Sequence, residues 1–163
     1  MGYQESNSGL SRRQFLAGSS AAAFSLTLLR PGLVSGSQVN SKITLGVIGC
    51  GSRGSWITDL FLQHGGYQVA AAGDYFQDKV DGFGERFRVE SAHRYTGLSC
   101  YKRVLDSKVD AVVIESPPYF HPEHAAAAVD AGVHVYTAKP IAVDVPGCQS
   151  IAASGEKAAA DQR

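Results

Sequence analysis

The stretch "KITLGVIGCGSRGSW", residues 42–56, decides the fold. It opens on an apolar, β-branched run from Ile43 to Ile48 and passes at once into glycines. A continuous apolar run of that length, without polar alternation, is the signature of a parallel strand buried on both faces. Beyond Gly54 the periodicity changes: Trp56, Ile57, Leu60 and Phe61 recur at helical spacing over 55–64, and Gly65-Gly66 ends the helix. Strand, glycine turn and helix in that order place one residue set at the mouth of a βαβ unit.

Working outward, the same alternation continues. "YQVAAAGD" (67–74) reads as a second buried strand, and a weaker helix follows over 77–89, diluted by Gly82 and Gly84. "SAHRYTG" (91–97) reads as a short edge strand, "SCYKRVLDS" (99–107) as a short helix and "VDAVVIES" (109–116) as a buried strand. The helix of "HPEHAAAAVDAG" (121–132) has Pro122 at its first position, Glu123 at the positive end of its dipole and Gly132 at its close. "VHVYT" (133–137) is the next strand and residues 144–163 begin another helix. Strands alternating with helices predict a doubly wound α/β domain, a parallel sheet covered on both faces.

The 163 residues suffice for one domain with a real core, and 15 acidic against 15 basic side chains give no reason to expect nucleic-acid binding. Cys50, Cys100 and Cys148 form no C-x-x-C pair and no zinc-ligand spacing, so they read as buried or incidental thiols, and no metal site is predicted.

Residues 1–40 read as an address rather than as part of the fold. Ser11-Arg12-Arg13-Gln14-Phe15-Leu16 resembles the twin-arginine export consensus, and the mildly apolar run from Phe15 to Leu29 is too short for a comfortable membrane span. The alternatives are a buried amphipathic helix carrying two arginines, or an uncleaved anchor; cleavage after Gly36 is one reading. The organisation predicted is thus a twin-arginine signal and linker over 1–40 and a nucleotide-binding domain over 41–163. Export would leave the protein periplasmic, or membrane-associated if the signal is retained.

Gly49-Cys50-Gly51-Ser52-Arg53-Gly54 is G-x-G-x-x-G, and Asp74 ends the next strand twenty residues later. In this context the pattern is a dinucleotide fingerprint. Gly49 permits the turn, Gly51 lets a pyrophosphate approach the backbone, and Gly54 lets the helix close on the strand. Asp74 would accept from the adenosine ribose hydroxyls and repel a 2′-phosphate, which favours NAD over NADP; Arg53 and Lys79 soften that preference. A glycine turn used only for packing, or an S-adenosylmethionine site, is the competing reading. Further along, Glu115 and Ser116 end a strand at the sheet's carboxyl edge, and Pro117-Pro118 keeps the chain extended there. His121 is expected at a helix cap aimed into the same crevice, against a cap histidine without a ligand. His124, one turn on, is expected to pack or face solvent.

Taken with the fingerprint and Asp74, the Pro117-to-His121 step, the Ala-Gly-x-His-Val run at 131–135 and Lys139-Pro140 resemble the glucose-fructose oxidoreductase / inositol dehydrogenase / MocA (Gfo/Idh/MocA) family. The resemblance covers most of residues 42–155. It implies an NAD(P)-dependent oxidoreductase acting on a sugar or polyol-like alcohol, with cofactor contacts from residues 49–54, Asp74, Ser116, Pro117, His121 and Lys139. It assigns Lys139 the catalytic place beside the nicotinamide and the substrate hydroxyl. An ammonium there stabilises a developing alkoxide, and the nearby cationic ring lowers its pKa. Two residues depart from the family pattern: Ala138 replaces the glutamate before the lysine, and Pro118 replaces an asparagine. The resemblance also implies a second, substrate-covering α/β domain, so the chain reads as an N-terminal portion ending before the last strand of the nucleotide-binding domain. A non-catalytic nucleotide-binding module is the alternative function, and an oligomer is compatible with either.

Overall fold

The computed structural model describes residues 42–161; the export motif at Ser11–Leu16 lies outside the described residues. Five strands form one sheet: β1 (Ile43–Ile48), β2 (Tyr67–Asp74), β3 (Arg94–Thr96), β4 (Ala111–Ile114) and β5 (His134–Thr137). Five α-helices connect or follow them: α1 (Ser52–Gln63), α2 (Gln77–Phe87), α3 (Cys100–Asp106), α4 (His121–Asp130) and α5 (Val145–Ala160). Every strand pair is parallel and the spatial order is β3-β2-β1-β4-β5. The chain therefore reverses its direction of travel across the sheet between β1 and β4, where a doubly wound sheet opens its ligand crevice.

Alternation along the strands divides the core into two layers. Leu45, Val47, Ala72 and Val113 pack with Ile57 of α1 and with Val80 and Phe83 of α2. Ile48, Ala71, Val112 and Ile114 pack on the other face with Tyr101, Val104 and Leu105 of α3 and Ala125 and Ala128 of α4. Period-2 alternation with both faces filled gives runs that are apolar throughout, as in "LGVI" and "AVVI". The doubly wound α/β fold expected from the sequence is the observed one.

Boundaries differ from expectation where side-chain pattern is not the deciding force. Helix α1 starts at Ser52, three residues before the apolar periodicity begins, because its first turn includes the fingerprint itself. The 91–97 segment divides into a 3-10 turn, Ser91–His93, and the three-residue strand β3. Residues 109, 110, 115 and 116 fall outside β4, which is only four residues long. Pro122 occupies the second rather than the first position of α4, since His121 opens that helix. Gly132, at φ 76°, stands just past the helix end, and the amide of Val133 returns to the Ala128 carbonyl at 2.9 Å. Strand β5 borders the sheet and is only half covered, and α5 has no buried residue. The N-terminus of α5 is nonetheless well set: the Asp144 carboxylate accepts from the Gly147 amide at 2.7 Å.

Candidate functional site

The turn after β1 is built on backbone that only glycine supplies. Gly49 has φ +100°, and a Cβ there would meet the carbonyl carbon of Glu115 at 2.5 Å and the Ser116 amide nitrogen at 2.6 Å. Gly54 lies against the same turn: its added Cβ would fall 1.9 Å from the Gly49 carbonyl oxygen. Gly51 is the opposite case, because a Cβ there would meet nothing within 4 Å. Gly51 is also the residue that precedes α1, no side chain caps that helix, and its first turn contains no acidic residue. A bare helix N-terminus behind an open glycine is a ready anion cradle.

Asp74 stands beside this cradle at the end of β2. One carboxylate oxygen accepts from the Cys50 amide at 2.7 Å and the other from the Phe76 amide at 3.0 Å. The carboxylate thus fastens the glycine turn to β2, and each of its oxygens keeps a further lone pair to accept with. Lys79, the cation nearest in sequence, pairs at 3.4 Å with Asp78.

A crevice of about 500 Å³ opens along the carboxyl edge, lined by Gly49, Gly51, Asp74, Ser116 and Pro117 among others. Cys50 and Ser52 open instead on a neighbouring polar recess between α1 and α2. The buried Cys50 thiol is pushed far above its ordinary pKa by desolvation and then by Asp74. Cys100, on the crevice wall, is raised to about 11 by the same two causes in the same order. Neither thiol is a nucleophile at neutral pH. Arg53 reaches from α1 to Glu115, with Nε 3.6 Å from Oε2, and its guanidinium lies 5.0 Å over the Trp56 ring. Burial raises the Glu115 pKa, while Arg53 and His121 oppose that rise.

Of the two histidines, His121 departs from its expected place, whereas His124 packs as expected but does so on the crevice wall. His121, expected to point into the crevice, is 1 % exposed. Its Nε2–H donates to the Ser116 carbonyl at 2.7 Å, and Nδ1 is buried without a hydrogen-bond partner. The first turn of α4 folds that ring under the β4 loop instead of over it. His124 is the histidine on the crevice wall. Its Nδ1 is 3.1 Å from the Ser116 hydroxyl, and its ring is held between Phe120 and Tyr101, at centroid distances of 5.8 and 4.4 Å. Burial lowers its pKa to about 4, with Glu123 opposing that shift, so the ring is neutral at physiological pH. Sequence reasoning passed over His124; the available signal was its i, i+3 spacing from His121 on a helix whose Ala125 and Ala128 face inward.

Lys139 is exposed and follows Ala138, whose amide donates to the Ile114 carbonyl at 3.1 Å beyond the end of β5. The Lys139–Pro140 bond is cis. Gly49 to Gly54, Asp74, Ser116 and Pro117 therefore converge on one edge. Lys139 stands on the same edge, outside the crevice wall, and His121 lies beneath it.

A family model described as oxidoreductase family, NAD-binding Rossmann fold (Gfo/Idh/MocA), matches residues 43–160. Among curated proteins, an inositol 2-dehydrogenase of Saccharopolyspora erythraea is 35% identical over 107 residues, covering 65% of this chain and 30% of the relative. A 1-carboxy-3-chloro-3,4-dihydroxycyclohexa-1,5-diene dehydrogenase of Comamonas testosteroni is 30% identical over 114 residues, covering 70% and 28%. Among solved structures, the aldose-aldose oxidoreductase of Caulobacter crescentus, complexed with glycerol, superposes with a TM-score of 0.62 at 28% identity, covering 72% of this chain and 36% of that one. The chain thus spans less than a third of the length of these curated relatives.

Proposed function

The chain belongs to the Gfo/Idh/MocA oxidoreductase family, of which residues 43–160 form the NAD-binding Rossmann domain, and from that premise we propose how the site is used. The bare N-terminus of α1 at Gly51 would hold the pyrophosphate of the dinucleotide, and Asp74 would accept hydrogen bonds from the adenosine ribose hydroxyls. The observation that carries this reading is the open Gly51 cradle tied through the Cys50 amide to the Asp74 carboxylate. The negative charge of Asp74, with Lys79 already paired to Asp78, favours NAD over NADP.

The reaction proposed is hydride transfer between the nicotinamide and a sugar or polyol-like alcohol. An inositol dehydrogenase and an aldose-aldose oxidoreductase among the relatives support that substrate class. When bound, the nicotinamide supplies the hydride acceptor. Lys139 holds its ammonium against the reacting oxygen and stabilises the negative charge that develops there. Ser116 and the neutral His124 line the crevice and present hydrogen-bonding groups without a net charge. Ala138 favours a second reading, a nucleotide-binding module without turnover, because no carboxylate precedes Lys139 to orient it.

The test is titration of the full chain with NADH, followed by nucleotide fluorescence, with saturation at micromolar cofactor expected. Absence of binding at millimolar NADH would refute both readings. Reduction of NAD⁺ in the presence of a panel of aldoses and polyols separates them, since the module reading predicts binding without turnover. We further propose export by the twin-arginine machinery, supported by Ser11–Leu16 alone. Replacing Arg12 and Arg13 together by lysine is expected to retain the protein inside the cell, and unchanged export would refute that route.

A further inference from the structure

Glu115 is the buried charge that the proposed function leaves without a role. The β4–β5 register runs from Ala111 opposite His134 to Ile114 opposite Thr137, and the Ala138 amide continues it by donating to Ile114. Glu115 and Ala138 are therefore the next pair, and the alternation puts both on the α1 face. Two residues earlier on the same face, Val113 packs in the core with Ile57, and Tyr136 meets Phe61 edge-on at 5.5 Å. The Glu115 side chain is 1 % exposed. Its Oε1 is buried with no hydrogen-bond partner, and Oε2 meets only the more than half-exposed Arg53, at 3.6 Å. A carboxylate so placed is costly to the fold unless a positive charge answers it.

The dinucleotide itself is such a charge in one redox state only. If its ribose meets Asp74 at the end of β2 and its pyrophosphate α1, its other half would extend past β1 toward the ends of β4 and β5, where Glu115 lies. That half bears a ring cation when oxidised and none after accepting hydride. We propose that Glu115 is a specificity-determining residue whose carboxylate selects the oxidised, cationic dinucleotide over the reduced one. This rests on the reading that the crevice takes NAD. By holding NAD⁺ more firmly than NADH, Glu115 favours loading of the oxidised cofactor and release of the reduced one, and makes the bound ring a weaker hydride acceptor by the same factor.

The test compares the dissociation constants of NAD⁺ and NADH, measured by calorimetry on the full chain without substrate, for wild type and Glu115→Gln. Glutamine keeps the size and one acceptor of the side chain and removes its charge. The expected result is a loss of NAD⁺ affinity of about tenfold relative to NADH. An unchanged ratio, or equal loss of both forms as from a merely structural role, overturns the proposal while leaving NAD binding intact. Wild type binding neither form overturns the NAD reading and this proposal with it. Should the glutamine variant fail to fold, Ala138→Glu carries the test with the opposite sign. A second carboxylate on that face is expected to tighten NAD⁺ relative to NADH, and an unchanged ratio in the folded variant overturns the proposal.

Discussion

Substituting Gly54 by alanine asks whether close approach of α1 to the β1 turn is what builds the cofactor cradle. The new methyl would lie 1.9 Å from the Gly49 carbonyl oxygen and 3.1 Å from its carbon, whereas ordinary contact begins near 3.4 Å. Gly49 cannot give way, being pressed against the backbone of Glu115 and Ser116 at φ +100°. The start of α1 must therefore retreat by about 1.5 Å, an overpacking that costs about 1–3 kcal/mol. Alanine's better helix propensity returns roughly 1 kcal/mol of this. About 1 kcal/mol of destabilisation remains, and the net expectation is a Tm lower by about 2–4 °C for a chain of this length. The retreat would also draw the first-turn amides away from the pyrophosphate position proposed above. Each hydrogen bond to a charged group contributes about 1.5–3 kcal/mol, so NADH affinity is expected to fall by roughly tenfold or more. Gly51→Ala is the control, because its methyl meets no protein atom within 4 Å but enters the open cradle. It is expected to melt like wild type and still lose NADH. Thermal denaturation followed by circular dichroism, with NADH fluorescence titration, reads both quantities. A Gly54→Ala protein with wild-type Tm and affinity refutes the close-approach argument. A destabilised Gly51→Ala protein that binds normally refutes the cradle.

Asp74→Asn leaves one acceptor for the Cys50 and Phe76 amides, so stability is expected to fall by about 1–2 kcal/mol in a urea titration. The lost charge should narrow the NADH-over-NADPH preference roughly tenfold, and an unaltered preference would remove Asp74 from the ribose site. His124 titrates at about 4 when folded, lowered from 6.5 by burial. Below pH 6.5 the unfolded chain takes up a proton that the folded chain refuses. Stability is therefore full above pH 6.5 and falls as pH drops toward 4, by on the order of 2–3 kcal/mol. His124→Gln should flatten that acid limb in urea titrations at stepped pH; an equally steep limb in the variant assigns it to other groups.

The juxtaposition of the glycine turn and Asp74 was legible in the sequence because it is local. Gly49, Gly51 and Gly54 belong to one strand–turn–helix unit, and Asp74 ends the next strand, so spacing alone brings them together. The carboxyl-edge half was not legible to the same degree. His121 and His124 differ by three positions on α4 and are both buried, and only the angle at which that helix leaves the Pro117-Pro118 loop determines which ring reaches the crevice wall. Likewise Glu115 reads in sequence as the polar end of a strand. Its meaning depends on register with Ala138, more than twenty residues away.

By itself, then, the sequence determined the order of elements, the parallel doubly wound sheet and the glycine cradle with the Asp74 carboxylate beside it. Each follows from hydrophobic period and from the backbone freedom of glycine, which are properties of neighbours in the chain. Tertiary structure alone decided that His124 rather than His121 faces the crevice. It also decided that Arg53 reaches Glu115, and that a buried carboxylate stands next to the residue preceding Lys139. Those outcomes depend on helix docking angles and on strand register, which fix desolvation and charge separation between residues remote in the chain.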